Sequence, residues 1–146
     1  MITPFDKMGN IDFDKIPKII DNIVSGSANY IVVLGTTAET SLLTTEEKNQ
    51  LIKIIIEANN SRLPLVIGIG GNNTDSVIKE INKTNLFHFS AILSVSPYYV
   101  KPTQKGIIKH YSMVSKECPI PLILYNVPSR TGSIIEIDTY LEIIDQ

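Results

Sequence analysis

Tryptophan is absent from this 146-residue sequence, cysteine occurs once, and histidine and arginine occur twice each. The lone Cys118 cannot close an internal disulfide, and His88 and His110 cannot be assembled by spacing into a metal-ligand cluster. Cys118 lies in SKECPIP with no histidine at short range, so it reads as a small apolar filler rather than a nucleophile. His88 precedes a strand-like run and His110 falls on a helix beside Lys109, which predicts solvated or half-buried rings. Clustered basic residues are missing too. The net charge is −2 and the pI about 5.6, which argues against nucleic acid or an anionic membrane surface as partner. Long apolar runs are also missing: none approaches the roughly 20 residues of a membrane span, and MITPFDKMGN lacks the pattern of a signal peptide. The expected location is the cytoplasm.

What is present is a 43% hydrophobic content, enough to build the core of one ordinary domain. Short apolar runs recur at ANYIVVLG, LPLVIGIGG, FSAILSVSPYY and IPLILYNVP, each followed by a segment of helical spacing. Strands apolar on both faces, alternating with helices, predict βα units and a parallel sheet. Residues 1–146 read as a single domain, with a further strand stub at Met1 to Pro4. Helix punctuation supports the order. Thr44 and Glu47 match a capping box ahead of a stripe of Leu51, Ile54, Ile55 and Ala58. Thr103 precedes Ile107, Ile108, Tyr111 and Val114, and GNNTDS precedes Val77, Ile78 and Ile81. A first helix is capped at Asp12 and runs through Ile16, Ile19, Ile20 and Ile23; Pro17 requires it to start late or kink. The fold class is α/β, either a doubly wound sheet complete at this length or a (β/α)₈ barrel cut short.

Polar and small residues collect after the strands: GTTAETS, GGNNT, SPYYVKPT and YNVPSRTG. In both architectures, ligands bind at the C-terminal ends of parallel strands. Gly35, Thr36 and Thr37 form either an anion-holding turn or a simple packing turn. Asn73 stands where a dinucleotide fingerprint requires a third glycine, and no P-loop lysine follows. Tyr98, Tyr99 and Tyr125 are half-buried aromatics or proton carriers, since a phenol both donates and accepts and has an ordinary pKa of about 10. Arg130, after a rigid proline turn, suits bidentate binding of a carboxylate.

Taken together, GTTAET, SPYYVKPTQKG and YNVPSRTG resemble the dihydrodipicolinate synthase family (4-hydroxy-tetrahydrodipicolinate synthases) of pyruvate-dependent aldolases, and the likeness spans the chain. The resemblance implies a TIM (β/α)₈ barrel, here truncated after about five βα units, so that residues 1–146 are a partial barrel. It implies condensation of pyruvate with aspartate semialdehyde in lysine and diaminopimelate biosynthesis, with no metal or organic cofactor. A lysine forms a Schiff base with pyruvate. By position, Tyr125 resembles the proton donor and acceptor, linked through Thr36 to Tyr99, which the family lends across a dimer interface. Thr37 resembles the residue holding the pyruvate carboxylate, and Arg130 the one receiving the semialdehyde carboxylate. A homo-oligomer, dimer or tetramer, is implied for the full-length form.

Some positions depart from the family pattern. Ala38 stands where the family usually has Gly, and a positive φ there would cost about 1 kcal/mol. Ser96 and Val100 replace the more usual Thr and Asn. Lys48 and Ser76 fall where lysine-inhibited members carry His and Glu, which predicts no lysine feedback. The family's Schiff-base lysine lies at the end of a sixth strand, and this chain ends in the helix before it. Lys101 reads as a solvated charge. The fragment alone is therefore expected to be inactive and to expose a strand edge and apolar helix faces. Two alternatives stand beside this: an N-acetylneuraminate lyase or sugar-acid aldolase, against which the R-T-G after Y-N-V-P argues, and a non-catalytic interaction module.

Overall fold

The computed structural model describes residues 1–145. Its apolar runs become four strands: β1 (Ile31–Val33), β2 (Leu65–Gly68), β3 (Ala91–Val95) and β4 (Leu122–Tyr125). The segments before, between and after them become helices α1 (Ile16–Ser25), α2 (Thr45–Asn59), α3 (Thr74–Lys83), α4 (Gln104–Glu117), α5 (Pro128–Thr131) and α6 (Ile137–Ile144). Among the described residues, no helix is long and apolar enough to cross a membrane. The chain divides into two compact units, the first made of Met1–Gly68 with His88–Ser90 and the second of the remaining described residues.

In the first unit β1 and β2 run parallel, with Ile31 opposite Leu65 and Val33 opposite Ile67. Leu65, Val66 and Ile67 are all buried, as a strand covered on both faces requires. Helices α1 and α2 pack together through amphipathic faces whose buried residues are Ile16 and Ile20 on α1 and Leu51 and Ile55 on α2. Pro17 sits in the first turn of α1, after a 3₁₀ turn at Phe13–Lys15. The helix thus starts late, where a missing N–H deletes no helical hydrogen bond. Asp12 makes no side-chain cap, contrary to the sequence expectation, because the 3₁₀ turn lies between it and the helix.

Helix α2 has the predicted capping box. Glu47 N–H donates to Thr44 Oγ1 at 3.2 Å, and Thr44 N–H donates to Glu47 Oε2 at 2.8 Å. Its C-terminal carbonyls are held by Arg62, whose Nε donates to Asn59 O at 3.1 Å and whose Nη2 donates to Ala58 O at 2.7 Å. A cation is favourable at that end of a helix.

In the second unit β3 and β4 are parallel, with Ile92 opposite Leu122 and Val95 opposite Tyr125. Helix α4 packs on α3 and α6. Tyr111 is fully buried, and its hydroxyl donates to Ser94 O at 2.9 Å, so the ring fills the core while its polar tip stays bonded. Burial pushes its phenol pKa up. Ile107, Tyr111 and Ile135 form a cluster against which Leu122, Leu124, Tyr140 and Ile143 pack.

The expected strand at Met1–Pro4 does not form. The terminal amine donates to Val32 O at 2.8 Å, and Thr3 Oγ1 donates to Ala38 O at 2.8 Å. Only an isolated antiparallel bridge, Phe5 to Ile11, follows. It closes a turn in which the Asp6 carboxylate accepts from Met8 and Asn10 N–H at 2.8 and 2.9 Å. A short segment with a local carboxylate partner takes the turn over the ladder.

Candidate active site

The threonine turn begins where β1 ends. Leu34 has φ +55°, and Thr36–Ala38 wind into a 3₁₀ turn closed by Ala38 N–H to Gly35 O at 2.9 Å and Glu39 N–H to Thr36 O at 3.1 Å. Thr40 Oγ1 donates to Gly35 O at 3.1 Å from the other side. Gly68 at the end of β2 makes room for the turn, because a Cβ there would collide with the Leu34 carbonyl. Thr36 and Thr37 are exposed. The Thr37 hydroxyl donates to Met1 O at 3.2 Å. Ala38 is buried at 3% exposure and is not among the positive-φ residues; the left-handed position is Glu39, φ +54°. The anticipated backbone cost at Ala38 is thus absent, since the turn reverses one residue later.

The tyrosine loop leaves β3 under strain. Val100 N–H donates to Tyr98 O at 2.8 Å, a three-residue turn centred on Tyr99 at φ +70°, and Lys101 follows at φ +46°. Non-glycine residues rarely occupy this region, and a γ-turn of this sense is uncommon. Its effect is to thrust the Tyr99 side chain outward, leaving it 87% exposed. Lys101 is exposed, and its aliphatic stem lies over Gly132, with Cε 3.2 Å from where a Cβ on that glycine would stand.

Tyr125 is the last residue of β4, half-buried and in register with Val95. Val127 then turns into the single-turn helix α5, with Pro128 at its start, Gly132 as a left-handed cap at φ +70°, and Arg130 exposed within it. The guanidinium meets no acceptor among the described residues. Tyr99, Tyr125 and Arg130 therefore belong to the second unit, at or after the matching ends of β3 and β4. Thr36 and Thr37 belong to the first, just after β1.

Two side chains differ from, or sharpen, the sequence expectation. His110 is buried rather than solvated: its Nδ1 lies 2.9 Å from Thr74 Oγ1, and desolvation lowers its pKa. The helical face that carries it is turned toward α3, which one-residue proximity to Lys109 did not reveal. Cys118 is half-buried, its thiol donates to Ile120 O at 3.0 Å, and burial raises its pKa. Both observations fit a packing role rather than a nucleophilic one.

Sequence reading missed Asn126, Gln104 and Thr131. Asn126 Nδ2 donates to Ile135 O at 3.3 Å while Ile135 N–H donates to Asn126 Oδ1 at 3.2 Å. Gln104 Nε2 donates to Ile134 O at 2.9 Å, and its Oε1 accepts from Glu136 N–H at 3.2 Å and Thr139 Oγ1 at 2.7 Å. The signal available for Asn126 was its place between Tyr125 and the proline turn; Gln104 had none.

A family model described as the dihydrodipicolinate synthetase family matches residues 1–145. Among curated relatives, the 4-hydroxy-tetrahydrodipicolinate synthase of Flavobacterium psychrophilum is 50% identical over 143 residues, 98% of this chain and 49% of the relative. That of Enterococcus faecalis is 40% identical over 98% of this chain and 50% of the relative. A crystal structure of the chloride-inhibited dihydrodipicolinate synthase from Acinetobacter baumannii, complexed with pyruvate, superposes with a TM-score of 0.91 at 39% identity, over 98% of this chain and 49% of that one. The chain spans about half the length of the relatives it matches. With β and α elements alternating, the expected α/β class and a truncated (β/α)₈ barrel agree with these matches.

Proposed function

The chain belongs to the dihydrodipicolinate synthetase family, and from that premise we propose that it is the part of a 4-hydroxy-tetrahydrodipicolinate synthase that handles protons and carboxylates. The full protein condenses pyruvate with aspartate semialdehyde on the route to diaminopimelate and lysine. A lysine amine adds to the pyruvate ketone and expels water, giving an imine. Loss of a methyl proton turns the imine into an enamine, whose carbon attacks the aldehyde. Tyr125 gives and takes the protons these steps move, with Thr36 and Tyr99 as its relay. Thr37 holds the pyruvate carboxylate, and Arg130 receives the carboxylate of the semialdehyde through its two parallel donors.

The single observation that carries this reading is the placement of Tyr125 as the final residue of β4 with Arg130 in the rigid turn that follows. In (β/α)₈ barrels that end of a strand is where reacting groups are mounted. The strands end in Val33, Gly68, Val95 and Tyr125, so we assign the amine to a segment outside these residues. The exposed Tyr99 suits a residue lent to a second copy, and we read the full-length protein as a cytoplasmic homo-oligomer.

Two measurements test the proposal. Borohydride reduction with radiolabelled pyruvate is expected to leave this chain unlabelled; stable labelling would contradict the assignment of the amine elsewhere. Joined to the remaining half of the Flavobacterium psychrophilum synthase, these residues are expected to support condensation of the two substrates. In that enzyme Arg130→Ala should raise KM for the semialdehyde by about 10- to 100-fold, the loss of a charge-assisted contact, with KM for pyruvate unchanged. A folded but inert fusion would sink the reading.

A further inference from the structure

We infer that Asn126 is a positioning residue for Arg130: its side-chain amide closes residues 126–135 into a ring that fixes the turn from which the guanidinium projects. The inference rests on the reading of Arg130 as a carboxylate ligand, and it extends that reading to a residue with no acid–base chemistry of its own.

The two feet of the loop are joined by one side chain. Asn126 is the first residue after β4, and its amide both donates to Ile135 O and accepts from Ile135 N–H, at 3.3 and 3.2 Å. A carboxamide presents a donor and an acceptor in one plane, so it reproduces what a neighbouring strand would offer the Ile135 backbone. The far foot is itself immobilised. Ile135 is 3% exposed and packs with Ile107 and Tyr111. Gln104 reaches from the start of α4 to grip both of its neighbours, accepting from Glu136 N–H and donating to Ile134 O.

Inside the ring, Thr131 is buried beside Arg130. Its Oγ1 accepts from Ser133 N–H at 3.4 Å and lies 2.7 Å from Ser133 O and 3.3 Å from Val127 O. Gly132 supplies the left-handed reversal, and the stem of Lys101 lies over it. The residue that follows Arg130 is thus tied inward, while the arginine itself is exposed. Holding its Cα while freeing its head reduces the ordering needed when an anion binds.

The chain has two arginines, so the Nε–Hε signals of a ¹⁵N-labelled sample are two, and Arg62, bonded to helix carbonyls, serves as internal reference. In Asn126→Ala, the Ile135 amide should exchange about five- to tenfold faster, the expected loss of a typical hydrogen bond. The ¹⁵N heteronuclear NOE of Arg130 Nε should fall at the same time, while Arg62 and the amides of α4 stay as they were. Asn126→Asp keeps the acceptor but not the donor and should fall between the two. Where Asn126→Ala does not fold, Asn126→Asp and Gln104→Ala carry the test, and each should lower the Arg130 NOE selectively. An Arg130 NOE that stays unchanged while Ile135 protection is lost would overturn the inference, as would unchanged protection. Neither readout involves pyruvate or an aldehyde, so a failure of the clamp is separable from a failure of the proposed activity.

Discussion

Helices α2 and α6 solve the same problem at their first turns in opposite ways. Helix α2 carries its own cap, with Thr44 and Glu47 satisfying each other's backbone N–H groups three residues apart. Helix α6 has no side-chain cap from its own N-cap residue, Glu136. Its Glu136 N–H is satisfied by Gln104, 32 residues earlier in sequence. Their flanks differ in the same sense: α2 buries Leu51 and Ile55, whereas Ile137, Leu141 and Ile144 on α6 are 77%, 56% and 71% exposed. One helix is specified by adjacent residues, the other by a remote partner. The first carries its own start signal, while the second depends on α4 being in place.

Substitutions in the two apolar faces probe the largest gap. Leu51→Ala should cost about 2 to 5 kcal/mol in urea unfolding, the range for a buried leucine. Leu141→Ala on α6 should stay within about 0.5 kcal/mol, as an exposed side chain does. Equal losses would mean that α6 is covered in solution and the contrast is false. The caps come next in size. Gln104→Ala should remove hydrogen-exchange protection across α6 while sparing α2, because a single side chain holds three of its neighbours. Thr44→Ala should cost about 1 kcal/mol and loosen only the first turn of α2.

The smallest effect concerns α4, the helix that lends Gln104. His110 is buried against Thr74 with its pKa lowered by desolvation. The unfolded chain therefore takes up this proton first. The stabilising contribution is complete above the ordinary histidine pKa of about 6.5 and is lost as pH falls below it. Burial raises the pKa values of Cys118, Tyr111 and Tyr140, which titrate at the alkaline side. Burial lowers that of the Met1 amine, which adds to the fall in the same direction as His110 and is untouched by substitution at His110. His110→Asn, which keeps an amide where Nδ1 stands, should flatten the fall in urea midpoint between neutral and mildly acidic pH. A slope identical in both proteins would remove His110 as its cause.

What could be read from the sequence divides along the same line. The four apolar runs became β1–β4, because a strand covered on both faces, as β2 is, must be continuous in hydrophobicity; β4 carries the same kind of run although Ile123 on it is exposed. The caps at Thr44 and Thr103 were legible because donor and acceptor lie within one turn, and each accepts a backbone N–H; within GNNTDS, where the sequence marked a helix start without choosing a residue, Asn73 is the cap. Pro17 forced a late helix start for an equally local reason. The strand at Met1–Pro4 was misread because the contacts of Met1 and Thr3 are with residues 31 and 35 positions away. The same distance hid the burial of His110 and the grip of Gln104. At the candidate site, motifs could nominate Thr36, Thr37, Tyr99, Tyr125 and Arg130 as candidates, while the γ-turn beneath Tyr99 and the amide ring beneath Arg130 gave no such signal.

Gly68 bears no reactive atom, yet it decides how tightly β1 and β2 can converge behind the threonine turn. Even a methyl group would wedge the two backbones apart and tip Thr36 and Thr37 off their seats. In a saturation screen this position should behave like a reacting residue, intolerant of every replacement, although its only part is to let two backbones close on each other.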